Sequence, residues 1–94
     1  MSESVIQANI RLSLGQTDGV AVWRNNVGQS TAPRVVKYGL CVGSSDLIGV
    51  VTMPDGTGRF IAMELKTEVG RLSKPQRMFL ELVRSFGGFG CVCR

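Results

Sequence analysis

The feature that most constrains this chain is a hexapeptide, Met53-Pro54-Asp55-Gly56-Thr57-Gly58, set between two β-prone runs. Pro, Asp and Gly favour a tight chain reversal, so residues 46–52 and 59–66 must return alongside each other as a hairpin. Both runs carry neighbouring apolar residues, Leu47-Ile48 in the first and Ile61-Ala62 in the second. Strands of that kind are covered on both faces. A turn centred on Asp55 pairs 48 with 62 and 51 with 59, and it places Asp46 opposite Glu64. Directly opposed side chains have Cβ atoms ~4.5–5.5 Å apart, where like charges are destabilising. Two facing carboxylates among apolar neighbours call for a counter-charge. A divalent cation supplies one, since Mg²⁺ favours one or two carboxylates together with water and phosphate oxygens. Lys66 follows Glu64 by two residues and so projects to the same face of a continuous strand. An ammonium there can orient or help deprotonate an attacking water, or steady charge developing on phosphorus.

The flanks supply the layers. Residues 2–14 predict a helix, with Ile6, Ile10 and Leu14 on one stripe and Gly15 as the stop. Either Ser2 or Ser4 caps it, and Ser4 with Gln7 matches a capping box. Residues 20–23 form a short β-prone run, 28–33 read as loop, and 34–38 read as a short strand ending at Gly39. After the hairpin, 67–72 is loop and Ser73 opens a second helix. Ser73 and Gln76 make another capping-box match, with Pro75 in the tolerant first turn. Phe79, Leu82, Val83 and Phe86 give its apolar stripe, Gly87-Gly88 end it, and 89–93 form a last strand. Helix, three strands, helix, strand is an α/β arrangement: a small mixed sheet flanked by helices.

Composition narrows the chemistry. There is no histidine, which excludes Ser-His-Asp hydrolysis, histidine–metal nucleases, phosphohistidine chemistry and His-ligated zinc. Acid–base and metal chemistry must then come from carboxylates, Lys, Tyr, Cys or bound water. Cys41, Cys91 and Cys93 lack C-x-x-C spacing and read as reduced, structural thiols of a cytosolic protein. No run approaches the ~18 apolar residues of a membrane span. Eleven basic against seven acidic residues give a net charge of +4. Lys66, Arg71, Lys74 and Arg77 concentrate that excess, with Glu68 the sole acid among them. Such a patch suits a polyanion, although solubility alone also explains a modest excess. At 94 residues the chain is one domain. A chain of that size buries only ~60–65% of its unfolded surface, and a partner subunit would help.

Each signal also has a purely structural reading. Asp46 suits a turn, Glu64-x-Lys66 a solvated strand end, and Ser73 with Gln76 a cap and nothing more. Taken in order, however, the chain resembles the VRR-NUC family, the virus-type replication-repair nucleases of the PD-(D/E)XK superfamily, in its standalone phage-type form. The resemblance runs through Glu3-x-x-x-Gln7, Arg24-Asn25-Asn26-Val27-Gly28, Gly43-Ser44-Ser45-Asp46-Leu47-Ile48-Gly49, Glu64-Leu65-Lys66, Gly70-Arg71-Leu72-Ser73, Gln76 and Gly87-Gly88. Ser45 stands where the superfamily name has Pro.

That resemblance implies a small restriction-endonuclease-like core of order α-β-β-β-α-β, spanning residues 1–94 as one nuclease domain. It implies that Asp46 and Glu64, with Glu3 and the Leu65 backbone carbonyl, hold Mg²⁺ or Mn²⁺. Lys66 then serves the attacking water, and Gln76 reaches back toward the same centre. Arg24, Asn26, Ser45, Arg71, Lys74 and Arg77 are the implied DNA contacts. The expected activity is a structure-specific DNA endonuclease, resolving four-way junctions as a homodimer in the host cytoplasm. Residues 34–42, with Val35, Val36, Leu40 and Val42, are the expected arm across the two-fold axis. The alternatives are a nuclease acting on flaps or other structures, and a non-catalytic nucleic-acid-binding module.

Overall fold

The computed structural model describes residues 2–30 and 33–94, with the side chain of Val36 also outside the description. Eight elements follow one another: α1 (Glu3–Gly15), β1 (Val20–Arg24), β2 (Gly28–Ser30), β3 (Val36–Tyr38), β4 (Leu47–Thr52), β5 (Gly58–Leu65), α2 (Lys74–Ser85) and β6 (Phe89–Cys93). The main sheet has strand order β1-β4-β5-β6. β4 lies antiparallel to both neighbours, whereas β6 runs parallel to β5. Parallel strands need a crossover, and α2 provides it. The main sheet thus has the α-β-β-β-α-β order, mixed and flanked by helices.

The hexapeptide closes the hairpin as its chemistry dictates. The Met53 N–H donates to Thr57 O and the Gly56 N–H to Met53 O. Asp55 Oδ1 accepts from both the N–H and the hydroxyl of Thr57, and Gly56 takes the left-handed φ of +86° that the reversal requires. The register is the expected one, with Ile48 opposite Ala62 and Val51 opposite Arg59, and Leu47 against Met63 as the last pair.

Strand alternation then builds two cores. Leu47, Met63 and Leu65 face α1 and pack with Ile6, while Ala62 faces α2 and packs with Leu80 and Val83. A fully buried Leu on each face stabilises by roughly 1.5–3 kcal/mol, which is why neither helix is dispensable in so small a domain.

Four local expectations are corrected. Ser2, and not Ser4, caps α1, its Oγ accepting from Val5 N–H, so the Ser4–Gln7 box does not form. Residues 28–30, read as loop, form β2 and pair in register with β3; the expected loop at 31 and 32 lies outside the described residues. Gly-Gln-Ser has no β signal of its own, and its extended form is set by its partner. The 34–38 strand is shorter than expected, beginning at Val36. On α2 the buried residues are Leu80 and Val83, whereas Leu82 is 50% and Phe86 85% exposed. Phe79, Leu82, Val83 and Phe86 share their spacing with Gln76, Phe79, Leu80 and Val83. The two stripes differ by a helix rotation of about 60°, and periodicity alone cannot choose between them.

The β2–β3 ribbon stands apart from the main sheet, and the molecule measures 46 × 29 × 25 Å with a radius of gyration of 14.1 Å. A compact chain of this length has about 12 Å.

Candidate active site

The start of β4, the end of β5 and the start of α2 converge at one end of the sheet, each bringing one polar residue. Asp46 immediately precedes β4, and its backbone carbonyl accepts from the Asn25 N–H at 2.8 Å, which continues the β1–β4 ladder by one step. One of its carboxylate oxygens, Oδ2, accepts the Leu65 N–H at 2.9 Å. A strand residue's N–H and C=O point to the same side. The Leu65 carbonyl is therefore directed toward Asp46 as well.

Glu64 lies on the α2 face of β5, is 2% exposed, and stands one register step beyond the Leu47–Met63 pair, beside Asp46. Its Oε1 accepts from Gln76 Nε2 at 3.1 Å. Its Oε2 is buried with no hydrogen-bond partner. Burial pushes the Glu64 carboxyl from 4.5 up to about 8, helped by a hydrogen bond to Asp46 and by the Asp46 charge. Lys66 opposes the rise, and Glu3 adds a little to it. When Glu64 is protonated it can share that proton with Asp46. When both are ionised no donor lies between them, and Oε2 is orphaned.

Gln76 also completes the cap of α2. Its Oε1 accepts from the Ser73 N–H at 2.9 Å, while Ser73 Oγ accepts from the Gln76 N–H at 3.3 Å. The capping bond and the bond to Glu64 coexist on one side chain. A recess of about 230 Å³ opens here, lined by Asn25, Val27, Gly43, Asp46, Glu64 and Gln76 among others.

The remaining sequence-derived positions divide. Lys66 is half-buried just past β5, its N–H held by Cys93 O, and its charge reaches Glu64. Glu3, in the first turn of α1, is exposed and within electrostatic reach. Arg24, Asn26, Arg71, Lys74 and Arg77 are exposed, as contacts to a polyanion must be. Ser45 is corrected. It is 0% exposed with its Oγ unpartnered, so its hydroxyl is not placed to touch DNA. Sequence reasoning named Asn25 and Ser44 only within motifs and gave them no role. Their signal, polar residues at the end of a strand and in a turn, is that of ordinary loop.

The donor set fits a hard divalent cation: two carboxylates and a strand-end carbonyl, all oxygen. The orphaned Oε2 and the raised Glu64 carboxyl mark a group whose ionised form its protein neighbours stabilise too little. Among the described residues no three acidic or thiol side chains gather into one metal-holding group, so Glu3, expected as a ligand, is not brought together with Asp46 and Glu64. Two carboxylates, with the rest of the shell left to water and phosphate, is the arrangement Mg²⁺ favours. All three cysteines are free, and among the described residues no helix is long and apolar enough to cross a membrane.

Neither a curated protein nor a solved structure matches this chain. The family model of the VRR-NUC domain matches residues 1–94, the whole chain.

Proposed function

The chain belongs to the VRR-NUC family of nucleases, and from that premise we propose that it is a divalent-metal-dependent, structure-specific DNA endonuclease. The observation that carries the proposal is the Asp46–Glu64 pair at a strand end, with Glu64 buried, its Oε2 unpartnered, and both residues lining a recess. Phosphate binding alone needs no such pair, since acids there repel the ligand. Asp46, Glu64 and the Leu65 carbonyl would hold Mg²⁺ or Mn²⁺, with Glu3 adding negative charge from α1. When bound, the ion supplies charge neutralisation and Lewis-acid polarisation of the phosphate.

The chain's own residues do the rest. Leu65 N–H fixes the Asp46 carboxylate, and Gln76 Nε2 fixes Glu64. Lys66 Nζ orients the attacking water and offsets charge that develops on phosphorus. Arg24, Asn26, Arg71, Lys74 and Arg77 grip the backbone on either side. Branched DNA, a four-way junction in particular, is the substrate proposed, and the cutting unit is a homodimer.

The dimer is supported by apolar surface left without cover. Leu40, Phe60, Leu82 and Phe86 are exposed and line a groove of about 560 Å³, and Val35 and Val42 are exposed on the same 34–42 segment. A stable interface buries ~1,200–2,000 Å² in total.

The test incubates the protein with labelled junction, flap, duplex and single strand, with Mn²⁺ or with chelator. Junction cutting should need Mn²⁺, and Asp46→Asn or Glu64→Gln should abolish it while junction binding persists. Cutting at near wild-type rate by either variant would overturn the site. Sedimentation at micromolar concentration decides the dimer: a ~10 kDa monomer that still resolves junctions symmetrically overturns it.

A further inference from the structure

One side chain outside the metal-holding set ties together the whole segment that delivers Asp46. Asn25 follows β1 and is half-buried. Its Nδ2 donates to Ser44 Oγ at 2.7 Å and to Ser45 O at 2.9 Å. Its Oδ1 accepts from the Leu40 N–H at 3.1 Å. Its own N–H donates to Asp46 O at 2.8 Å. Ser44 passes the restraint on, because its Oγ and its N–H both donate to Cys41 O, at 2.7 and 3.0 Å. Residues 40–46 are thus wound around a single carboxamide.

The far side of the segment is seated just as firmly. Gly43 adopts φ +84°, and a Cβ there would stand 2.6 Å from the Pro75 carbonyl carbon and oxygen. The segment is wedged between the end of β1 and the first turn of α2, where Gln76 holds Glu64. The β4–β5 ladder begins only at Leu47, downstream of the segment. On the nuclease reading of this site, we propose that Asn25 is its positioning residue: the carboxamide sets where the Asp46 carboxylate stands relative to Glu64 and Gln76. A carboxamide is the small side chain that offers two donors and an acceptor in one plane. Aspartate would keep the acceptor, lose both donors and turn a negative charge on the Ser45 carbonyl. Alanine removes all three side-chain bonds.

Misplacing a reacting group by about 1 Å costs on the order of 100-fold in turnover. Asn25→Ala should therefore lower kcat by roughly 10- to 100-fold on branched DNA with Mn²⁺, and leave KM within about twofold. Amide hydrogen exchange on the metal-free, DNA-free protein gives a second readout. Residues 40–46 should exchange faster in Asn25→Ala, while the β4 and β5 amides keep their protection. Ser44→Ala severs one of the three carboxamide bonds together with the Oγ bonds to Cys41, and should show the same pattern, weaker; it carries the test if Asn25→Ala does not fold. The double variant should lose less than the product of the two single losses, because the two side chains share a bond and restrain one segment. Unchanged kcat in Asn25→Ala, loosening spread equally over β4 and β5, or losses that simply multiply would each overturn the proposal. A wild-type protein that cuts nothing would overturn the nuclease reading instead, and exchange in 40–46 would still decide whether Asn25 holds the segment.

Discussion

The buried Glu64 carboxyl should make the metal-free protein lose stability as pH rises, opposite to the usual behaviour of a carboxylate. Its ordinary value is 4.5 and burial, with Asp46 beside it, lifts it to about 8. Between those values the folded protein keeps a proton at Glu64 that the unfolded chain has released. The native state then binds more protons than the unfolded state, so the slope of stability against pH is negative. The contribution is fully present below about pH 4.5, drains through the interval, and is gone above about pH 8. The rise from 4.5 to about 8, at 1.36 kcal/mol for each tenfold change in proton affinity, sets an upper bound of about 5 kcal/mol. The recess beside the carboxyl admits water, which reduces the figure to about 2–3 kcal/mol.

Urea unfolding in chelator from pH 5 to 8.5 measures it. With m of about 1–1.5 kcal/mol/M for a domain of this size, the midpoint should fall by roughly 2 M across the range. Stopping at 8.5 keeps the experiment clear of Cys93, whose thiol burial lifts from 9.0 to about 11. Glu64→Gln imitates the protonated form at every pH and can still accept from Gln76, so its profile should lack the decline. At pH 8 it should be the more stable protein. Adding Mn²⁺ at pH 8 should rescue wild type far more than Glu64→Gln. A wild-type midpoint that is flat or rises from pH 5 to 8, or a Glu64→Gln profile with the wild-type slope, would refute the reasoning.

Three further outcomes are expected. Ser45→Ala removes a buried hydroxyl that has no partner, and should raise stability by about 1 kcal/mol in thermal or urea unfolding without changing DNA affinity. Gly43→Ala meets both a left-handed φ and the Pro75 backbone, and should cost on the order of 1–3 kcal/mol, read as a lower Tm, and lose cleavage beyond what DNA binding loses. Replacing Arg71, Lys74 and Arg77 together by Ala should reduce the log–log salt slope of duplex binding by up to about 2.7, from about 0.9 per phosphate contact, with the metal requirement unchanged.

The hairpin was legible because its determinants are local. Pro54-Asp55-Gly56 dictates the reversal, its centre at Asp55 fixes the register, and Asp46 beside Glu64 follows from both. Ser73 was legible as a cap for the same reason. What escaped depends on distant partners. β2 is extended because β3 lies beside it, and nothing in Gly-Gln-Ser announces that. The facing of α2 escaped because Phe79, Leu80, Leu82 and Val83 are apolar around most of one turn. The inward arc is decided by Gln76 reaching Glu64, a contact twelve residues apart in sequence. Asn25 escaped because its partners, Leu40, Ser44 and Ser45, come together only once the sheet has formed.

The two-sided use of Gln76 limits what position 76 can become. As the third residue of a helix behind a serine cap, it is served equally well by glutamate, which offers the same oxygen to the Ser73 N–H. The opposite end of the same side chain answers to a different demand. Once Oε1 is committed to Ser73, the amide has one orientation left, and its nitrogen must point at Glu64. Glutamate would satisfy the helix and bring a third carboxyl against one that already holds its proton to about pH 8. Selection for helix strength and selection for the site therefore agree on the oxygen and disagree on its neighbour, and a drift from amide to acid, silent in the secondary structure, would register only in the site's charge.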